Sequence, residues 1–176
     1  ETLMEFELDK AIRVLQATPS ILQAWLGNLP PEWVHASDGE DTWSPFDIVG
    51  HLIHGEKTDW IPRAEIILSD RETRQFEPFD RFAMFADSEG RTMQELLDTF
   101  ADWRQQSINR LRGLQPSETD LTKTGVHPDL GIVTLKQLLA TWVAHDLNHL
   151  GQIAKVMARQ YKVEVGPWNE FLGILG

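Results

Sequence analysis

The sequence predicts an all-α protein, a bundle of four long helices joined by long connections. Three observations carry that expectation. Apolar residues recur at three/four spacing in four separate windows. Helix-start signatures stand at Ser44-Pro45-Phe46-Asp47, Thr92-Met93-Gln94-Glu95 and Thr134-Leu135-Lys136-Gln137. No stretch alternates polar and apolar residues well enough to read as a strand, and there is no internal repeat or low-complexity tract.

Residues 3–27 read as the first helix, with Leu3, Phe6, Leu8, Ile12, Leu15, Ile21, Leu22, Trp25 and Leu26 as its apolar stripe. Pro19 is expected to kink or break it, and Gly27 with Pro30-Pro31 ends it. Residues 28–43 form a linker carrying Trp33 and Trp43. The second helix starts after Ser44, with Pro45 at its first position, and runs towards Leu68 with a kink expected at Pro62. Residues 69–91 are a charged, broken linker whose Phe76, Phe79, Phe82 and Phe85 are expected to pack onto the body. The third helix opens at Thr92 and buries Leu96, Leu97, Phe100, Trp103, Ile108 and Leu111; Gly113 and Pro116 close it. Residues 114–133 read as loop. The fourth helix runs from Thr134 to about Tyr161, and Trp168 to Leu175 form one or two short turns. The second linker is long enough to run back along a helix, so helices two and three are expected to be parallel neighbours.

Composition narrows the function. The chain has 176 residues with 41% apolar and 24% charged, which fits one domain over residues 1–176. No run approaches a membrane span. The opening Glu-Thr-Leu-Met-Glu has no signal-peptide pattern, and a chain beginning on Glu1 is expected to have lost an initiator or short leader. The absence of cysteine removes disulfides, thiolate metal sites and a cysteine nucleophile, and fits a cytoplasmic protein. Any metal must then be held by imidazole and carboxylate. A formal charge of −11 with scattered Lys and Arg argues against nucleic acid as a partner.

The most informative stretch is Thr141-Trp-Val-Ala-His145-Asp146-Leu-Asn-His149-Leu-Gly-Gln152-Ile. Four helical residues advance about 400°, so His145 and His149 leave one face a turn apart. They interrupt a stripe of Leu135, Leu138, Leu139, Trp142, Ile153 and Val156. Buried neutral imidazoles need partners, and a divalent metal supplies one to each. The pair alone is weak, so a third ligand is required. His51 is the natural one, on the apolar side of the second helix between Ile48 and Leu52. Three histidines from two helices can hold a metal and leave a position open for chemistry.

These residues resemble the DinB-like (DinB/YfiT) superfamily of metal-binding four-helix bundles. The resemblance lies in Trp43-Ser44, Gly50-His51-Leu52, His145-Asp146-Leu-Asn-His149-Leu-Gly-Gln152-Ile, Val126-His127-Pro128-Asp129-Leu130-Gly131 and Gly166-Pro167-Trp168, in order along nearly the whole chain. It implies metal ligation by His51, His145 and His149, a divalent metal such as nickel or zinc, frequent homodimers, and up-down-down-up topology. It also implies a choice of activities, since the family includes thiol S-transferases using low-molecular-weight thiols such as bacillithiol or mycothiol, a thiol-dependent isomerase, and metal hydrolases.

Neighbouring residues carry weaker expectations. His54, one turn beyond His51, is read as a supporting group rather than a ligand. Asp146 points about 100° from the ligand face and either supports the site or faces solvent; the zincin-type general-base reading is rejected. Gln152 lies on the ligand face and either orients a bound group or bonds within the core. Glu56 and Asp59 are placed off the face of His51. Arg63 could hold an anion, although a solvated salt bridge is the commoner fate. Trp43, Trp142 and Trp168 are candidate pocket walls, and His35 and His127 receive no role. No catalytic residue is assigned. The leading expectation is a divalent-metal-dependent thiol S-transferase acting on small electrophilic molecules. Metal-dependent hydrolysis is the alternative within enzymes, and a non-catalytic, metal-stabilised dimeric bundle the alternative outside them.

Overall fold

A computed structural model describes residues 3–176; Glu1, and with it the expected loss of an initiator or leader, lies outside the described residues. Four long helical stretches build the body: α1 (Leu8–Leu26), α3 (Pro45–Thr58) continued by α4 (Trp60–Leu68), α6 (Met93–Leu114) and α8 (Leu135–Arg159). Short helices α2 (Pro31–Val34), α5 (Ala83–Ser88) and α7 (Glu118–Leu121), a hairpin of β1 (Thr124–His127) and β2 (Gly131–Thr134), and two 3-10 turns (Gly166–Phe171, Gly173–Leu175) fill the connections.

The three predicted capping boxes form. Ser44, Thr92 and Thr134 each accept from the backbone N–H three residues on, while Asp47, Glu95 and Gln137 accept from the cap residue's own N–H at 2.9, 2.7 and 2.9 Å. Each satisfies two donors that a helix start otherwise leaves orphaned.

Side-chain pairs fix the topology. Gln23 meets Gln94 and Gln16 meets Arg112, so α1 and α6 are antiparallel. Glu56 meets Arg104 and Glu65 meets Arg110, so the α3–α4 stretch and α6 are parallel. His51 meets His145 and Glu56 meets Trp142, so α3 and α8 are antiparallel. The bundle is therefore up-down-down-up, with the second and third long helices as parallel neighbours.

Several local expectations are corrected. The first helix begins at Leu8, not residue 3, because Glu7 is extended; Leu3 and Met4 lie exposed, and so in part does Trp25. Pro19 does not break it. Its ring leaves the Leu15 carbonyl without a helical donor, and Arg104 Nη1 donates to that oxygen at 2.8 Å. The kink expected at Pro62 does form: the second helix is interrupted at the single residue Asp59 (φ −106°, ψ −81°), one turn before the proline, whose ring excludes the carbonyl of Thr58 from normal bonding. In the next linker Phe76 is buried and Phe79 half-buried, but Phe82 and Phe85 are largely exposed.

Residues 114–133 are not simply loop. β1 and β2 pair antiparallel from Thr124↔Thr134 to His127↔Gly131, and Gln75 bridges to Val126. Four-residue strands are too short for alternation to show in the sequence. His127 Nδ1 accepts the N–H groups of Asp129 and Leu130, which closes the turn, and Gly131 takes the left-handed φ of 74° that follows.

The core is split. One apolar cluster gathers Ile12, Leu15, Trp60, Ile67, Leu111 and Leu139 among others; a second gathers Leu22, Leu26, Ile48, Leu52, Leu96, Phe100 and Ile153. Between the two runs a buried polar layer with a residue from each long helical stretch: Thr18, Glu56, Arg104 and Asp146.

Candidate metal centre

His51 stands in the second turn of α3, and its position depends on the residue before it. A side chain at Gly50 would bring Cβ within 2.6 Å of Ser88 Oγ, so glycine lets α5 press against α3 here. His145 and His149 project from the same face of α8. The three rings meet: His51 Nε2 and His149 Nε2 each lie 3.1 Å from His145 Nε2, and all three ligand atoms fall within 4.8 Å of one another. His51 and His149 are buried and His145 half-buried.

Hydrogen bonding alone does not satisfy this arrangement. A neutral imidazole nitrogen either donates or accepts, so His145 Nε2 cannot serve both neighbours well. Nitrogens about 2.0 Å from a tetrahedral zinc would stand roughly 3.3 Å apart, close to the spacing seen. Gln152 Oε1 lies 2.8 Å from His149 Nδ1 and can accept its proton, which turns the Nε2 lone pair inwards. The residues present thus fit a divalent cation, and among the described residues no fourth His, Asp or Glu joins the cluster.

Electrostatics keep the rings available. Burial, reinforced by His149, His54 and Arg81, pushes His51 down to about 4. Burial, with His149, His51 and Arg104, pushes His145 down to about 3. His149 is also lowered by burial, partly offset by Gln152 and Asp146. All three are neutral at pH 7, the form that ligates metal.

Above the rings opens a cavity of about 490 Å³, walled by Trp43 and Phe79, with Gln152, Arg81, Asp41 and Thr42 completing it. Trp43 lies 5.0 Å from the His51 ring and 6.4 Å from that of His149, centroid to centroid, and Phe79 meets His51 edge-on at 5.4 Å. On the inner side Trp60 packs against His145 at 5.0 Å.

The remaining candidates divide. His54 is buried against Phe79 and stays outside the cluster. Asp146 is fully buried, so its solvent-facing alternative is excluded. Its carboxylate hydrogen-bonds to none of the three histidines and instead takes Thr18 Oγ1 at 2.5 Å and Arg104 at 2.6 and 2.9 Å. Glu56 lies off the face of His51 as expected, accepting from Arg104 Nη2 at 2.8 Å and Trp142 Nε1 at 3.0 Å. Asp59 pairs with Arg63 at 3.1 Å; both are buried, so the pair is not the solvated salt bridge expected, and burial still raises Asp59 to about 6. Trp43 is a pocket wall, but Trp142 belongs to the core and Trp168 is 69% exposed. Sequence reasoning missed Arg104. The signal was present, because Arg104 falls in the stripe Phe100, Arg104, Ser107, Leu111, where a charge on a core face implies buried partners.

The profile of the DinB superfamily matches residues 15–153 of the chain. The chain belongs to the DinB superfamily. Among solved structures it is similar to YfiT from Bacillus subtilis, described as a probable metal-dependent hydrolase with an unusual four-helix bundle topology. The TM-score is 0.74 at 21% identity, covering 91% of this chain and 93% of that one. It is also similar to TT2238, a four-helix bundle protein, with a TM-score of 0.56 at 20% identity over 83% of this chain and 97% of that one. These likenesses establish the fold of this DinB-superfamily chain. No curated protein matches it. No helix among its described residues is long and apolar enough to cross a membrane.

Proposed function

We propose that this DinB-superfamily protein is a divalent-metal-dependent enzyme, with zinc or nickel held by His51, His145 and His149, that joins a low-molecular-weight thiol to a small electrophilic molecule. The observation that carries the reading is the convergence of three imidazole Nε2 atoms beneath an open cavity, with no fourth protein ligand among the described residues. A divalent cation in that position would lower the pKa of a thiol or water placed beside it. The protein's own part is to hold the three lone pairs inward, fix His149 through Gln152, and shield the site with Trp43 and Phe79.

Thiol transfer stands ahead of hydrolysis for a local reason. The buried carboxylates nearby are engaged: Glu56 and Asp146 with Arg104, Asp59 with Arg63. Asp41, at the cavity wall, is exposed. Activation therefore proceeds without a dedicated general base. A thiol near pKa 8.5 needs a far smaller shift to react at pH 7 than water near 15.7. Hydrolysis is the second reading, favoured by the likeness to YfiT, a probable metal-dependent hydrolase. A closed structural metal site in a non-catalytic homodimer would need a fourth ligand, which His54 does not supply.

Metal analysis of protein purified without a histidine tag tests the centre. About one equivalent of zinc or nickel is expected, and His145→Ala should abolish it. Retention of less than about 0.2 equivalents by the metal-supplemented wild type would overturn the proposal. A panel of thiols with a generic electrophile, run beside an activated ester, then separates the chemistries. Ester turnover without thiol consumption would replace transfer by hydrolysis.

A further inference from the structure

Arg81 lines the cavity that opens onto the histidines, and it is the one guanidinium there. Its side chain lies over two aromatic rings, 5.7 Å from the centroid of Trp43 and 5.4 Å from that of Phe82. Such stacking holds the cation over the mouth without neutralising it. The loop that carries it is itself fixed, because Asp80 Oδ1 accepts the N–H groups of Phe82 and Ala83 at the start of α5. Arg81 is solvent-exposed and takes no carboxylate within 4 Å among the described residues, so its charge is left for a ligand at the cavity mouth. In a chain of formal charge −11, a fixed and unpaired guanidinium beside an aromatic-walled cavity is poised for an anion from outside.

We propose that Arg81 is the specificity-determining residue of this cavity. It selects small molecules whose single carboxylate meets the guanidinium while an apolar body lies between Trp43 and Phe79. The planar fork of arginine matches a carboxylate with two parallel hydrogen bonds. Asp41 shares the cavity wall, and with the acidic surroundings it penalises ligands of higher negative charge, so a monoanion is favoured over a phosphate-type dianion. The inference rests on the cavity being the substrate pocket of the metal centre, but Arg81 acts on the carboxylate whether or not a metal is bound.

The test is calorimetric titration of the full chain, dialysed against chelator and in parallel loaded with zinc. The probes are phenylacetate, its neutral isostere phenylacetamide, and phenylphosphonate. In the metal-free protein phenylacetate should bind about tenfold more tightly than phenylacetamide, the effect of one charged hydrogen-bonded contact, and more tightly than phenylphosphonate. Arg81→Gln should erase the preference, Arg81→Lys should keep part of it, and Asp41→Asn should strengthen phenylphosphonate binding. Circular dichroism and zinc stoichiometry confirm that each variant is folded. Equal binding of acid and amide, a preference that survives Arg81→Gln, or no saturation by phenylacetate up to about 50 mM would overturn the assignment. Zinc binding without a carboxylate preference would defeat this inference alone. A carboxylate preference without zinc binding would defeat the metal reading alone.

Discussion

Gln152 is the only side chain hydrogen-bonded to an outward-facing nitrogen of the triad among the described residues, since His51 Nδ1 and His145 Nδ1 are buried without partners. Gln152→Leu keeps the volume and removes the acceptor. It should weaken zinc affinity about 10- to 100-fold, measured by competition with a chromophoric chelator, with little change in fold. The same burial that keeps the rings neutral makes the metal-free protein sensitive to acid. Each histidine binds a proton more readily unfolded, near 6.5, than folded, at about 4 for His51 and about 3 for His145. Between those values the unfolded state carries more protons, so stability falls as pH falls from about 6.5 and the loss levels off only below about 3. Urea denaturation of metal-free protein from pH 7.5 to 4 should show this slope, and His51→Phe should flatten part of it. At this scale the sequence was legible where spacing alone decides, as for His145 and His149. It was not legible where a partner comes from a distant helix. Nothing near Asp146 in sequence marks it as buried, because Thr18 and Arg104 stand 128 and 42 residues away.

Elements were legible to the extent that their ends carry their own chemistry. The helices after Ser44, Thr92 and Thr134 begin where their capping boxes place them. The first long helix, which lacks a side-chain cap, begins five residues later than its apolar stripe implied. Proline was legible at one of its two helical positions. At Pro62 the helix kinks one turn upstream, as a proline inside a helix dictates, whereas at Pro19 a long-range donor covers the freed carbonyl and the helix continues. No local rule shows that donor, because Arg104 reaches the Leu15 carbonyl from across the bundle. The contact between α5 and α3 is a sharper test of element packing. Gly50→Ala drives Cβ towards Ser88 Oγ, a side-chain end that can rotate away, and should cost less than about 1 kcal/mol in thermal or urea unfolding, since alanine's helix propensity offsets part of the crowding. Adding Ser88→Ala removes the clashing oxygen and should recover most of that loss, a coupling that independent sites would not show.

Across the whole molecule, the layer of Thr18, Glu56, Arg104 and Asp146 ties the four long stretches together between two apolar clusters. Hydrophobic periodicity predicted the bundle because it reports which face is buried; it says nothing of a charge placed on that face. Arg104→Met would leave two carboxylates buried without their cation and should destabilise by about 3–5 kcal/mol. Replacing Glu56 and Asp146 by Leu in the same chain should restore part of the stability, because no charge is then left unpaired, although Trp142 Nε1 and the Leu15 carbonyl lose their partners. If the restored triple variant also kept native zinc affinity, the layer would be a matter of stability alone. Loss of affinity in a stable variant would show that it orients the histidines. The neighbours of Asp146 give this layer a mechanical meaning. His145 and His149 occupy the turn that Asp146 pins to the centre, so α8 cannot roll to suit a larger or smaller ion without tearing a buried ion pair. His51 rides on a helix that is interrupted at Asp59. One jaw of the vice is bolted down and the other is shimmed, so for the proposed ion any retuning of preference would belong on the α3 side.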